Sequence, residues 1–182
     1  MMIELKTERL VLKSLCINDL MSTHTYASNE SNTIYMIHLP NHSLEETKSF
    51  LETVTKEWER DIPQFYEFAI WLENHHIGAI SFYLNENRTI GKLGWILNKE
   101  YWHKGYAIYW HKGYAIESAR RIVEFAKELK IKQLIAHCDD ANIASYRVME
   151  KLGMKCVEIK EARLNKNSLM TSKEHKYQLT LE

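Results

Sequence analysis

One stretch constrains this chain more than any other. From Ile116 onward, Ile116, Ala119, Ile122, Val123, Ala126 and Leu129 recur at helical spacing, opposed by Glu117, Arg120, Arg121, Glu124, Lys127 and Glu128. A stripe of that width specifies an amphipathic helix with one face committed to a core. Trp110-His111-Lys112-Gly113-Tyr114-Ala115 precede it, and a short buried-type strand, Gln133 to Cys138, follows. The helix is expected to begin around Ile116. At a helix start several N–H groups lack an intrahelical acceptor and the macrodipole is positive. A glycine just before it lets the chain curl so that successive N–H groups converge, and the small Ala115 permits close approach. Together these make a cradle for a pyrophosphate, with Lys112 adding a cation at the rim. Only one glycine shapes the loop, so a plain strand-to-helix connection is the competing reading.

The remaining elements follow from pattern. Thr7 to Leu15 alternates as a strand, with Leu10, Leu12 and Ser14 on one side. Asn18 or Asp19 can cap a helix carrying Leu20, Thr23, His24 and Ala27 inward. Ser43-Leu44-Glu45-Glu46 is a capping box, and Leu44, Phe50, Leu51, Val54 and Trp58 follow on a helical face. Phe65 to Leu72, His76 to Leu84 and Thr89 to Leu97 form an antiparallel meander broken by the polar turns 73–75 and 85–88. Asn142 to Leu152 is a helix closed by Gly153, and strands Met154 to Ala162 and Glu174 to Leu181 end the pattern. This is mixed α/β (α+β) in a single domain, 1–182.

Composition narrows the function classes. Lys+Arg and Asp+Glu are both 24, a balance that argues against gripping nucleic acid or an anionic membrane by bulk charge. No run approaches a membrane span, and the first residues lack the apolar core of a signal peptide. Cys16, Cys138 and Cys156 are odd in number and widely spaced, so they read as reduced packing residues of a cytoplasmic protein. The nine histidines show no metal-ligand spacing, and His75 and His76 read as surface residues of a turn.

Several strings taken together carry a resemblance. They are Gly94-Trp95-Ile96-Leu97, then Tyr109-Trp110-His111-Lys112-Gly113-Tyr114-Ala115-Ile116-Glu117-Ser118-Ala119, then Asn142-Ile143-Ala144-Ser145 and Glu150-Lys151-Leu152-Gly153-Met154. In that order they resemble the GCN5-related N-acetyltransferases (GNAT). Within them the chain is most similar to the ribosomal-protein N-terminal (RimJ/RimL-like) branch, which also opens like Thr7-Glu8-Arg9-Leu10-Val11-Leu12.

The resemblance implies a three-layer fold, its central mixed, mostly antiparallel sheet splayed between the family's fourth and fifth strands and flanked by about four helices. It implies acetyl-coenzyme A as donor and an amine acceptor, while composition and spacing point to no nucleic acid, membrane or metal. The backbone of Ile96 and Leu97 would meet the pantetheine arm, and the N–H groups of His111, Lys112, Gly113, Tyr114 and Ala115 would hold the pyrophosphate. Asn142 would hydrogen-bond the cofactor. Trp110 stands three residues before Gly113, where the family usually has Arg or Gln, so no side-chain cation is implied there.

Direct attack of an amine on a thioester needs a route for the ammonium proton and a donor for the leaving thiolate. Many relatives place a Tyr donor seven residues after the Asn, where this chain has Met149. The branch points instead to Ser145; a rival is Tyr146, roughly 100° around the helix, and the plain alternative is a small residue for close packing. For the base, Glu67 in a central strand is the candidate, against a solvated strand face. The acceptor implied is a primary amine, a protein or peptide α-amine. Alternatives are a polyamine or antibiotic amine, or a coenzyme-binding module without catalysis.

Tyr101 to Ile108 reads Tyr-Trp-His-Lys-Gly-Tyr-Ala-Ile, and Tyr109 to Ile116 repeats it unchanged. Eight residues are too short a period for a solenoid, so this is a local tandem duplication. If the second copy is the cradle, the first is extruded as a surface loop. If the first is, the second extends the helix by about two turns with Gly113 inside it, at a cost on the order of 1 kcal/mol. A strained hinge here would also favour a homodimer exchanging the C-terminal half.

Overall fold

The computed structural model describes residues 3–102 and 113–181. Along the chain run β1 (Glu4–Lys6), β2 (Leu10–Ser14), α1 (Leu20–Ala27), α2 (Glu30–Thr33), α3 (Leu44–Trp58), β3 (Phe65–Leu72), β4 (His75–Leu84) and β5 (Ile90–Leu97). After them come α4 (Tyr114–Glu128), β6 (Gln133–Asp139), α5 (Ile143–Lys151), β7 (Lys155–Arg163) and β8 (Ser172–Thr180). The strands form one eight-stranded sheet in the order β1-β2-β3-β4-β5-β6-β8-β7. Every described pairing is antiparallel except β5 with β6, which is parallel. A parallel pair needs a crossover, and α4 supplies it. The architecture is mixed α/β, as the alternation of patterns leads one to expect.

Local chemistry explains most elements. In β2, Leu10, Leu12 and Ser14 point inward, as the alternation predicts. β1 was not anticipated: three residues are too few for a pattern, and it exists because Leu5 packs inward while the strand pairs with β2. In α1 the inward residues are Thr23, Tyr26 and Ala27; His24 is only half-buried and its Nδ1 lies 2.8 Å from Thr47 Oγ1. The Ser43 hydroxyl accepts the Glu46 N–H at 3.2 Å, while the Glu46 carboxylate reaches past Ser43 to the His42 N–H at 3.1 Å. α3 buries Thr47, Leu51, Val54 and Trp58, whereas Leu44 and Phe50 are 42% and 37% exposed. Those two fall off the stripe that the spacing 47, 51, 54, 58 defines.

The core forms where α4 lies on the sheet. The Phe125 ring meets Tyr66, Phe68 and Phe82 edge-on, with centroids 5.2, 5.8 and 6.3 Å away. Trp58 packs edge-on against Tyr66 and Phe68. Ala119, Ile122 and Ala126 of the sequence stripe are completely buried. Gly153, at φ 84°, follows the C-cap of α5 in the left-handed conformation that its position predicts. No helix among the described residues is long and apolar enough to cross a membrane.

Candidate active site

Pairing between β5 and β6 runs from Ile90 with Gln133 to Leu93 with Ala136 and then stops. β5 continues to Leu97 along β4, and β6 continues to Asp139 along β8. The two strands therefore part beyond Leu93, and among the described residues one edge of each is left unpaired. Which β5 groups face that gap follows from antiparallel alternation. The Asn85 N–H donates to the Ile90 carbonyl and the Asn98 N–H to the Ile77 carbonyl, so even-numbered residues of β5 face β4. Trp95 and Leu97 thus present their main-chain groups to the gap. This corrects the expectation for Ile96, whose peptide groups belong to the β4 ladder. The Leu97 carbonyl already accepts the Trp102 indole N–H at 2.8 Å, leaving its N–H for a ligand.

α4 starts immediately after Gly113, which is its N-cap at φ 69°, a left-handed conformation that glycine adopts without strain. The helix begins two residues earlier than expected, so Tyr114 and Ala115 form its first turn rather than the loop before it. Burial of Tyr114 explains the early start: the ring is 7% exposed, and the Arg9 guanidinium lies over it, 4.9 Å from its centroid. A glycine cap contributes no side chain to close the first turn. Glu117 sits in that turn and is held from the N-terminal segment. It accepts the Thr7 hydroxyl at 2.5 Å, the Arg9 N–H at 2.9 Å and the Arg9 Nε at 2.7 Å. Burial works against its charge, but those donors outweigh it and keep the carboxyl below its ordinary range.

Gly113 lies outside the helix, so the placement that threads the second octapeptide through α4 is not the one this chain adopts. His111 and Lys112 lie outside the described residues, as do 103–110 of the repeat.

Across the gap, β6 leads into α5. Asn142 is the N-cap of α5, its Oδ1 accepting the Ser145 N–H at 3.1 Å, while its Nδ2 is left as a donor for a ligand. Ser145 is half-buried on the first turn, Tyr146 packs partly on the core, and Met149 is completely buried. The end of β6 is fixed by a network that sequence reasoning missed. Asp139, 2% exposed, accepts the Ala141 N–H at 2.9 Å, the Asn165 Nδ2 at 2.7 Å and the Ser172 hydroxyl at 2.5 Å. Arg163, 8% exposed, donates to Asn165 Oδ1 at 2.9 Å, to Glu174 Oε1 at 2.7 Å and to the Tyr35 carbonyl at 2.8 Å. The segment after α2 is thereby tied to the strand end that carries Asn142 and Ser145.

Glu67 is not on a solvated face: it is 4% exposed in the middle of β3. Its Oε1 accepts the Tyr83 hydroxyl at 2.6 Å and its Oε2 the Ser81 hydroxyl at 2.9 Å. Burial pushes its pKa up to about 7, and the two hydroxyl donors hold it from rising further. Register places Glu67 opposite Ser81 and Ser81 opposite Gly94, so the three share one face and one row. Gly94 is the first residue of β5 beyond the last β6 pair. The row therefore runs from a carboxylate, over a hydroxyl and a residue with no side chain, to the apex of the gap. At strand spacing the β3-to-β5 distance is about 10 Å.

Of the two adjacent histidines, His75 is exposed as expected, whereas His76 is not a surface residue of a turn. His76 lies within β4, with Nδ1 2.8 Å from the Ser22 hydroxyl and Nε2 2.8 Å from the Gly78 carbonyl. A carbonyl only accepts, so Nε2 carries a proton toward Gly78. Desolvation lowers its pKa. Of the cysteines, Cys138 is buried and Cys156 exposed, so only some of them serve packing.

The sequence pattern of the acetyltransferase (GNAT) domain matches residues 9–155. An uncharacterized N-acetyltransferase, YnaD of Bacillus subtilis (strain 168), is 32% identical over 150 residues, covering 82% of this chain and 81% of its own. A GNAT-family acetyltransferase from Bacillus anthracis superposes with a TM-score of 0.79 at 27% identity, over 98% of each chain. RimL, a ribosomal L7/L12 alpha-N-protein acetyltransferase crystallised with coenzyme A, superposes with a TM-score of 0.83 at 16% identity, over 100% of this chain and 98% of that one.

Proposed function

From the premise that this chain belongs to the GNAT acetyltransferase family, and is an acyltransferase, we propose that it moves the acetyl group of acetyl-coenzyme A to the α-amine of a protein or peptide. The gap between β5 and β6 carries this reading. A splayed pair of strands offers main-chain hydrogen bonds to an extended arm, and a glycine-capped helix start offers N–H groups to a diphosphate. The residues present suit that ligand: Trp95 and Leu97 along the gap, Gly113 and Ala115 at the helix start, and Nδ2 of Asn142 opposite. The likeness to RimL supports the α-amine as acceptor through the fold alone.

In this mechanism acetyl-coenzyme A supplies an activated acyl carbon. Glu67 removes a proton from the acceptor ammonium, because a carboxylate with a pKa near 7 matches an α-amine better than an ordinary one does. The neutral nitrogen attacks the thioester carbon, a C–N bond forms and the C–S bond breaks. Ser145, at the first turn of α5, hydrogen-bonds the departing sulfur, which ends as the thiol. The test is acetyl transfer to a panel of free-N-terminal peptides, N-blocked peptides and polyamines, with the product located by mass spectrometry. Transfer to the peptide α-nitrogen is expected; transfer to polyamines alone would overturn the reading. Ser145→Ala is expected to lower kcat about tenfold with KM for the coenzyme unchanged. An unchanged kcat would remove Ser145 from the mechanism.

The duplication bears on the same cradle. Deleting Tyr101 to Ile108 leaves Asn98-Lys99-Glu100 joined to one octapeptide and Glu117. Because the connection from β5 to α4 sets how thioester and diphosphate are held together, the shortened protein is expected to fold and to bind coenzyme A more tightly by calorimetry. Weaker binding would show that the duplication serves the site.

A further inference from the structure

The Glu67 carboxylate has a problem that its surroundings address. It is 4% exposed, yet as base it must give up a proton to solvent at every turnover. Each of its oxygens is taken by one hydroxyl, and both hydroxyls belong to residues more exposed than the carboxylate. Ser81 is half-buried and lies on the row toward the gap, while Tyr83 is 39% exposed. The Tyr83 ring is fixed by stacking on Phe65, with centroids 4.9 Å apart.

Resting on the reading of Glu67 as the base, we propose that Ser81, Glu67 and Tyr83 form a two-port proton relay, with entry through the Ser81 hydroxyl on the gap side and exit through the Tyr83 hydroxyl to water. Tyr83 acts through Glu67 and is a positioning residue rather than a catalytic one. In the resting state both hydroxyls donate to the carboxylate. When the ammonium loses a proton toward Ser81, the Ser81 proton passes to Oε2 and the serine is restored in the same step. Glu67 is then neutral and donates to the Tyr83 oxygen, whose own proton turns outward. Transfer of that outward proton to water, with the Glu67 proton following, returns both groups to the start. One proton leaves per acetyl group transferred to an ammonium acceptor, and the thiol retains the other.

The arrangement is also electrically consistent. Burial and the adjacent Glu67 charge push the Tyr83 phenol upward, so no phenolate accumulates and the hop is concerted. Among the described residues, the other titratable group facing Glu67 is Tyr26 of α1, whose pKa is likewise raised, chiefly by burial, so it stays protonated throughout. Asp19 acts on Tyr26 from the turn before α1. Among the described residues no cation acts on the carboxylate, and the two hydroxyl donors favour its charged form instead.

The decisive variant is Tyr83→Phe, which keeps the stacked ring and removes only the hydroxyl. Expected are a kcat about tenfold lower, an acid limb of kcat/KM displaced above pH 7, and a changed solvent deuterium isotope effect. KM for acetyl-coenzyme A should not move. In the free protein, carboxyl titration followed by difference infrared spectroscopy should show the Glu67 midpoint displaced upward by the same amount. A Tyr83→Phe protein with the parent pH profile and isotope effect would overturn the relay, whatever its overall rate. Full activity in Glu67→Gln would instead sink the base assignment itself, so the two failures are told apart.

Discussion

Glu67→Gln is expected to lower kcat/KM about 10²-fold or more, with coenzyme binding intact, because positioned proton transfer contributes at least that much. The same substitution should make the protein more stable at pH 8. In the folded state Glu67 titrates at about 7, against an ordinary value of 4.5. A group raised in this way favours folding below its unfolded value, and that contribution is lost as pH rises through its folded value. Above pH 7 the ionised carboxylate therefore costs on the order of 3 kcal/mol, taking about 1.36 kcal/mol per pH unit between the two values. Gln carries no such cost. Thermal denaturation at pH 5 and pH 8 should show a difference that is small at the lower pH and large at the higher. Equal differences at both would mean that the carboxylate is not stored at a raised pKa. A loss of activity joined to a gain of stability is the signature of a functional rather than a structural acid.

Arg163→Ala has the largest expected effect on stability, a loss of about 3–5 kcal/mol in urea denaturation at neutral pH. The guanidinium is buried beside the buried Asp139 and the half-buried Glu174, Nη1 2.7 Å from Glu174 and Nε 3.8 Å from Asp139, and removing it takes the cation from both. Burial opposes ionisation of Asp139, yet Ser172, Ala141, Asn165 and Arg163 together keep its carboxyl below the ordinary range. Glu174 is held low against burial by His137 and Arg163. Depressed carboxylates stabilise the fold above their unfolded pKa, and that contribution is lost as pH falls through the folded value. The gap between parent and variant should therefore narrow below about pH 4. Arg163→Lys should recover only part of the loss, since an ammonium cannot donate in three fixed directions to Asn165, Glu174 and the Tyr35 carbonyl. A variant as stable as the parent at pH 7 would show that the network is dispensable.

The residues show unevenly which parts of this molecule were legible in advance. Elements with a period were: β3 spans the expected 65–72, and α4 carries the expected stripe, because periodicity alone tells which face is buried. The Ser43 cap of α3 and the glycine that closes α5 were legible too, since capping is a local transaction among neighbours in sequence. Ile96 and Leu97 were assigned together, but adjacent residues in a strand send their main-chain groups to opposite sides. Only the hydrogen-bonded pairs that flank β5 reveal which side is the gap.

For Glu67 the strand and the residue type were visible, and its environment was not. Ser81 and Tyr83 lie 14 and 16 residues away and meet it only through the β3–β4 register. The same holds for Arg163, whose partners come from three separate stretches of chain. Sequence by itself determined the strongly periodic elements, the Ser43 cap and the family, because these depend on near neighbours and on the order of motifs. Tertiary structure alone decided which carboxylate is buried, which hydroxyls reach it and where the strands part, because desolvation and register arise only when distant segments are brought together.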